Sequence, residues 1–444
     1  MLPAIGYLPE ATPMPRNVPL LIASWLTVLF PLSLLMGSGL QDTVMSIIAV
    51  MFLLHSLLTK DWDWCAKGWV RCLALLWAYM MARGALADAV FYHADAAGFA
   101  KNAFQALRRS VPFARYFVFA AALAYGTLPE ATVRRRFFVM LAASVLLLAL
   151  DCLLQRALGH DILGHTILHD PAGHLRLTGP FRSPMPGVLL AWIFFPACMP
   201  LLVSDAGVLH RGRPLFAALA ICLLALVAIL LSGERMALLL ALAGWAVAIV
   251  LLPGCRRPLF ALLVAGVVVL GAIAALSPDV LSRQVESTGH TLGHWQQSPY
   301  GMLLHSDLLL AVQHPVFGAG TNYFRLLCPK LYPGYNEAAL AAVCNVHPHN
   351  IYLEWWIENG AIGFALFITF LACVVRECVR AWPQVRVNPY WIGGVIALAM
   401  RVWPFASSTS FFSPWGSPPF WLAVAIVLAF CLQPQKMRER LRAQ

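Results

Sequence analysis

Cys344-Asn345-Val346-His347-Pro348-His349-Asn350-Ile351-Tyr352-Leu353-Glu354-Trp355-Trp356-Ile357-Glu358-Asn359-Gly360-Ala361-Ile362-Gly363 joins the longest polar segment of the chain to a long apolar run. Pro348 disfavours helix at His347, so the spacing predicts a helix that begins at about His349 or Asn350, with Asn350 as its cap. From His349, residues Leu353, Trp356 and Gly360 follow at 4, 7 and 11 positions, on one helical face. Gly360 and Gly363 leave room for a neighbouring helix. The stretch therefore sets an imidazole at a helix N-terminus, a place that favours anions and the neutral ring. Such a ring can take a proton from a hydroxyl or donate to a phosphate. An interfacial histidine that only caps or snorkels is the alternative.

Working outward, the rest of the chain is apolar. Of its 444 residues 60% are hydrophobic and 11% charged, with a mean hydropathy of +0.74, where a soluble domain carries about 25% charged residues. Runs of spanning length recur throughout, which predicts an all-α polytopic membrane protein with about 12 transmembrane helices. They lie near 18–36, 42–58, 69–86, 112–127, 137–157, 187–204, 214–231, 235–252, 258–276, 349–374, 389–405 and 417–432. The run from Val18 follows a short polar leader and is expected to stay as the first helix. An even number places both termini on one side.

Basic residues choose that side. Lys60 and Lys67, Arg134 to Arg136, Arg211 and Arg213, Arg256 and Arg257, and Arg376, Arg380 and Arg386 fall in alternate short loops. Lys436, Arg438, Arg440 and Arg442 add to them in the tail. These loops and both termini are expected in the cytoplasm. The longer segments near 87–111, 158–186 and 277–348 then face outside, which in a bacterium is the periplasm. The chain divides into residues 1–276 with the first nine helices, a large outer loop at 277–348, and 349–444 with the last three helices and the basic tail. The net charge of +11 is read as topology and contact with anionic membrane lipids, not as nucleic-acid binding.

The outer segments hold most of the histidines. His160, His165, His169 and His174 are spaced by five, four and five residues, which is no recognised zinc-ligand pattern; a solvated loop is the expectation. Arg235 opens an apolar run directly after a short turn. It reads either as an interfacial anchor or as a partner for a phosphate, which guanidinium binds in bidentate fashion. Glu354 and Glu358 read as bases or as groups that orient a neighbour. Cys328 and Cys344, with fifteen residues between them in one outer loop, read as a possible disulfide worth about 3 kcal/mol, against two free thiols. No Walker loop, Rossmann glycine pattern or Ser-His-Asp set is present.

Four segments resemble, in order, those of the O-antigen ligases and the related O-antigen polymerases. They are Arg176-Leu177-Thr178-Gly179-Pro180-Phe181 with Ser183-Pro184, then Leu231-Ser232-Gly233-Glu234-Arg235, then His314-Pro315-Val316-Phe317-Gly318-Ala319-Gly320, and last His349-Asn350 followed after nine residues by Gly360-Ala361-Ile362-Gly363. Together they cover roughly residues 175 to 365. The first third is similar only in hydropathy. One position departs. Where the family usually carries a second arginine, about fifteen residues before the Pro-Val-Phe-Gly element, this chain has Tyr300. Arg283, Arg325, Lys330 and Arg182 are the candidates to replace that charge.

The resemblance implies a GT-C-like fold and a glycosyltransferase of the bacterial inner membrane with a periplasmic active site. Its donor would be a glycan on undecaprenyl diphosphate. Its acceptor would be lipid A-core for a ligase, or another lipid-linked glycan for a polymerase. The transfer would invert the anomeric centre, with no cofactor and no metal. His349 and Arg235 would be catalytic, assisted by His347 or Glu354. Arg235, Arg176, Arg182, Asn350, Tyr300 and Arg325 would bind diphosphate or glycan. A protein O-oligosaccharyltransferase and a twelve-span transporter are the further alternatives. Against the transporter, the ionisable residues crowd at one face and not at mid-membrane.

Overall fold

The computed structural model describes residues 17–94, 103–170, 173–345 and 347–443, leaving aside the side chains of residues 342 and 433–443. The polar leader before Asn17, and the tail side chains Lys436, Arg438, Arg440 and Arg442, lie outside the described residues. The described chain is mostly helical. One two-stranded ribbon pairs Leu168 with Arg176 and His169 with Leu175.

Among the described residues six helices are long and apolar enough to cross a membrane: Ser38–Thr59, Gly68–Ala94, Ala131–Leu158, Arg213–Leu231, Pro253–Leu276 and Ile351–Val385. Val18–Ser33, Pro186–Leu202, Arg235–Leu251 and Ser417–Leu432 are apolar but shorter. The first of these has 16 residues, about 24 Å at the helical rise, against an apolar layer of about 30 Å. Two expected spans are interrupted. Residues 112–127 divide into a 3₁₀ turn at Val111–Phe113, a helix at Ala114–Ala121 and a π turn at Ala122–Thr127. The helix from Pro389 ends at Arg401. The fold is thus that of an all-α membrane protein, and helix length supports six spans, not about twelve.

Local chemistry sets the helix ends. Asn17 caps the helix from Val18, and Asn388 caps the one from Pro389, whose proline sits where no amide partner is needed. Gly159, at φ 83°, ends Ala131–Leu158 in the left-handed conformation open to glycine. Helix Pro186–Leu202 packs on Pro389–Arg401, and Ile351–Val385 packs on Gly68–Ala94 and Ser417–Ala443. Where Ile351–Val385 and Ser417–Ala443 meet Phe113, an aromatic core forms. Trp355 lies 4.8 Å from Phe367 and 5.2 Å from Phe411, and Phe411 lies 4.9 Å from Phe420. Such rings bury large apolar area with fixed geometry, and they make a rigid floor under the first turns of Ile351–Val385.

Candidate active site

The helix Ile351–Val385 starts as expected at the Asn350 cap, whose Oδ1 accepts from the amides of Tyr352 (2.9 Å) and Leu353 (3.2 Å). It does not run through. Gly360 stands at φ 66°, ψ −175°, and breaks it. The segment Pro315–Gly320 passes through the gap. Ala361 N donates to Pro315 O (2.9 Å), Ala319 N to Ile357 O (2.7 Å) and Gly320 N to Glu358 O (2.9 Å). Gly318, at φ 76°, faces Gly360; a Cβ on either would collide with the other strand's backbone. Gly360 therefore admits a crossing backbone and no longer shares a helical face with His349, while Gly363 lies against Tyr79 of the neighbouring helix Gly68–Ala94, as expected. Tyr79 Oη, donating to Asn359 O (2.8 Å) and Phe317 O (3.1 Å), clamps the crossing from outside.

The histidines sit just before this helix. The rings of His347 and His349 stack 4.9 Å apart at 6°. His349 Nδ1 meets Ser407 Oγ at 3.1 Å, and its Nε2 meets Asn345 Nδ2 at 2.8 Å. His347 Nε2 meets Ser408 O at 3.2 Å, and Ser408 N donates to His349 O (2.8 Å). Burial lowers the pKa of both. His347 falls to about 4, with the His349 ring as the second cause. Both rings are thus neutral at pH 7. Tyr300 stands edge-on to His349 at 6.4 Å. The disulfide Cys328–Cys344 anchors the chain directly ahead of Asn345.

Glu354 is fully buried, and both its oxygens are occupied, by Ser410 Oγ (2.5 Å) and Phe411 N (2.7 Å). Glu358 accepts from Asn322 N (2.6 Å). Arg325, half-buried, has its pKa lowered by burial and its charge supported by Glu358 and Glu354. Asp307, on helix Pro299–Gln313, is buried with Oδ1 unpartnered. Burial, then the Glu354 carboxylate, push it up to about 8. The sequence reading did not single it out.

A second group gathers at the turn Leu231–Glu234. Gly233, at φ 76°, makes the turn, and Arg176 lies against it. Arg176 pairs with Glu234 at 2.6 Å, leaving its buried Nε without a hydrogen-bond partner. Arg235 Nη1 reaches three hydroxyls, Ser287 (3.3 Å), Thr288 (3.4 Å) and Thr291 (3.3 Å). Arg283 joins them, donating to Gly233 O (3.3 Å) and pairing with Asp170 (2.6 Å). Burial lowers its pKa, and the charges of Arg176 and Arg235 lower it further, while Asp170 and Tyr300 oppose them. Like charges brought together this way favour an anionic partner.

Of the four candidates for the missing charge at Tyr300, Arg283 is the one at this turn. Arg325 lies by the buried glutamates, Lys330 sits 5.1 Å over the Phe91 ring, and Arg182 is exposed against His165. His165 and His174 pair with Asp161 and Asp170. Among the described residues no three His, Cys, Asp or Glu side chains form a metal-ligand set. Sequence reasoning also missed Ser407 and Ser408. They lie some sixty positions from the histidines they touch, with no local signal to mark them.

Residues 220–368 match the family model described as O-antigen ligase. The match takes in Arg235, Arg283, Tyr300, the crossing of Gly318 with Gly360, and both histidines, and it leaves out Arg176, Arg182 and the loop of Ser407. No curated protein matches the chain.

Proposed function

We propose, from a multi-pass membrane chain whose residues 220–368 carry the O-antigen ligase family's domain, that this protein is an O-antigen ligase. It transfers a polysaccharide from undecaprenyl diphosphate to lipid A-core on the periplasmic face of the inner membrane. All twelve apolar segments cross, with both termini in the cytoplasm. The observation that supports the reading is Tyr300, which stands edge-on to the His349 ring at 6.4 Å and also acts electrostatically on Arg283, at the turn where Arg176 and Arg235 gather.

His349 takes the proton of the acceptor hydroxyl as its oxygen attacks the anomeric carbon. The bond from that carbon to the diphosphate oxygen breaks, and the electron pair leaves with undecaprenyl diphosphate. Arg235, with Arg176 and Arg283, offsets the charge that develops there. Attack from the face opposite the leaving group inverts the centre. The anomeric carbon already carries diphosphate as a good leaving group, so no nucleotide is needed, and the arginines offset the charge without a metal. Asn350 fixes the histidine helix, Tyr300 and Arg325 line the histidine side, and Arg182 lies at the rim toward His165. The lipid-linked acceptor of a polymerase is the second reading.

His349→Ala and Arg235→Ala, each produced at normal level, should lose glycan transfer by about 10²- to 10⁴-fold. Transfer at the wild-type rate by both overturns the assignment. Deletion separates ligase from polymerase. Unmodified lipid A-core with polymer left on the lipid carrier means ligase; lipid A-core capped by one repeat unit means polymerase. Activity lost in strong chelator would overturn the metal-free step.

A further inference from the structure

The loop between Arg401 and Ser417 lies outside the matched family domain, yet it holds both histidines. Alternate residues at the start of the histidine helix fasten it. Asn350 Nδ2 donates to Pro404 O (2.6 Å), Tyr352 Oη donates to Val402 O (2.5 Å), and Glu354 accepts from Ser410 Oγ and Phe411 N. The far end is tied by Arg401, which donates to Gly416 O (2.9 Å) and lies 4.0 Å over the Trp192 ring. The loop returns three contacts: Ser407 Oγ to the His349 ring, Ser408 N to the His349 carbonyl, and Ser408 O to the His347 ring.

The donor and acceptor chemistry of these contacts fixes the protons. The Asn345 amide nitrogen only donates, so His349 Nε2 accepts and carries the lone pair. The proton is then on Nδ1, which donates to Ser407 Oγ. The Ser408 carbonyl only accepts, so His347 carries its proton on Nε2 and keeps that nitrogen turned into the protein. His349 Nε2 is the basic atom of the pair; its lone pair is held by the Asn345 amide here, and the acceptor hydroxyl takes the place of that amide when it binds. Glu354 cannot replace Ser407 in this role, because both its oxygens are engaged on the loop.

We propose that Ser407 is a positioning residue: its hydroxyl holds His349 with the proton on Nδ1 and presents Nε2 to the acceptor hydroxyl, on a loop that Asn350, Tyr352 and Glu354 brace. This rests on the reading of His349 as the base. A serine in this place acts as the orienting third group acts in a nucleophile–base–orienter set.

The test measures transfer by the full chain in proteoliposomes, with its undecaprenyl-diphosphate-linked glycan as donor and lipopolysaccharide lacking O-polysaccharide as acceptor. Ser407→Ala should lower kcat by about 10- to 100-fold, as a misplaced catalytic group does, and leave KM for both substrates within about 2-fold. Ser407→Thr, which keeps the hydroxyl, should restore kcat to within about 3-fold. Thr409→Ala, in the same loop with a buried hydroxyl that reaches neither histidine, should behave as wild type. If Ser407→Ala does not accumulate, Ser407→Cys, of similar size and a poor hydrogen bonder, carries the same expectation. The proposal is overturned if Ser407→Ala keeps wild-type kcat, if Ser407→Thr falls as far as Ser407→Ala, or if the loss is in KM. His349→Ala run alongside separates the two ideas. An inactive His349→Ala with an active Ser407→Ala rejects only the loop; an active His349→Ala rejects the base itself.

Discussion

At the scale of single residues, the proposed role of His349 depends on its ring being kept neutral. Burial places the His349 pKa below its ordinary 6.5 and that of His347 at about 4. A base whose pKa is lowered stays unprotonated to lower pH, so the acid limb of the transfer rate should lie below pH 6.5. A rate that halves above pH 6.5 as pH falls would contradict the neutral ring. Stability follows with the same sign. Between the two pKa values the unfolded chain binds more protons than the folded one, so stability rises with pH in that window. For His347 the window is pH about 4 to 6.5. Thermal unfolding in detergent should therefore move to lower temperature as pH drops from 6.5 towards 4. Some of this was readable beforehand and some was not. Pro348 and Asn350 announce the helix start, and the cap is where they put it. The partners of the rings were not readable, because Ser407 is 58 positions away and its contact arises only when the last helices pack.

At the scale of elements, the informative miss is Gly360. Small residues close together in an apolar run are a mark of close helix packing, and the sequence has no local feature that tells a helix–helix contact from a broken helix. The break exists because Pro315–Gly320 threads it with backbone hydrogen bonds on both sides, which replace the helical bonds lost at Gly360. Two motifs that look independent along the chain are one structural joint. Alanine at Gly318 or at Gly360 meets both a left-handed φ and a facing backbone. Left-handed strain alone costs about 1–3 kcal/mol, and the collision adds to it. Each variant should lower the unfolding midpoint and reduce folded protein in the membrane. Wild-type melting by Gly360→Ala would mean that the two strands do not cross there. The disulfide Cys328–Cys344 belongs to the same joint, because it ties the far end of the threading loop to the residue before Asn345.

At the scale of the whole molecule, hydropathy and helix length give different numbers of crossings, and the difference has a physical cause. Val18–Ser33, Pro186–Leu202 and Arg235–Leu251 are apolar enough but short. Residues 112–127 and 389–405 are apolar along the sequence but change helical type or stop early. A short helix still crosses when flanking residues reach the interface or when the bilayer thins around it, at a cost of fractions of a kcal/mol per Å. Burial bears on which elements these are. The short helix Pro186–Leu202 is buried on nearly every side, whereas Arg256–Leu276 presents Phe260, Val264, Val268 and Leu276 outwards. A buried helix is shielded by its neighbours and tolerates a shorter apolar length than one that meets lipid along its whole side. The decisive place is the turn Leu231–Glu234 between Arg213–Leu231 and Arg235–Leu251. If both helices cross, that turn is outside with Arg235, while the Arg211–Arg213 loop and the Arg256–Arg257 loop are inside, as their charge requires. Alkaline phosphatase, active only outside the cytoplasm, should be active when fused after Glu234 and inactive when fused after Arg211 or Arg257. Activity at Arg211 and Arg257 with none at Glu234 would invert the topology and remove the arginine turn from the face proposed for the lipid-linked donor. Equal activity at Glu234 and Arg257 would mean that Arg235–Leu251 does not cross, and that Arg235 opens a helix buried on one side of the membrane.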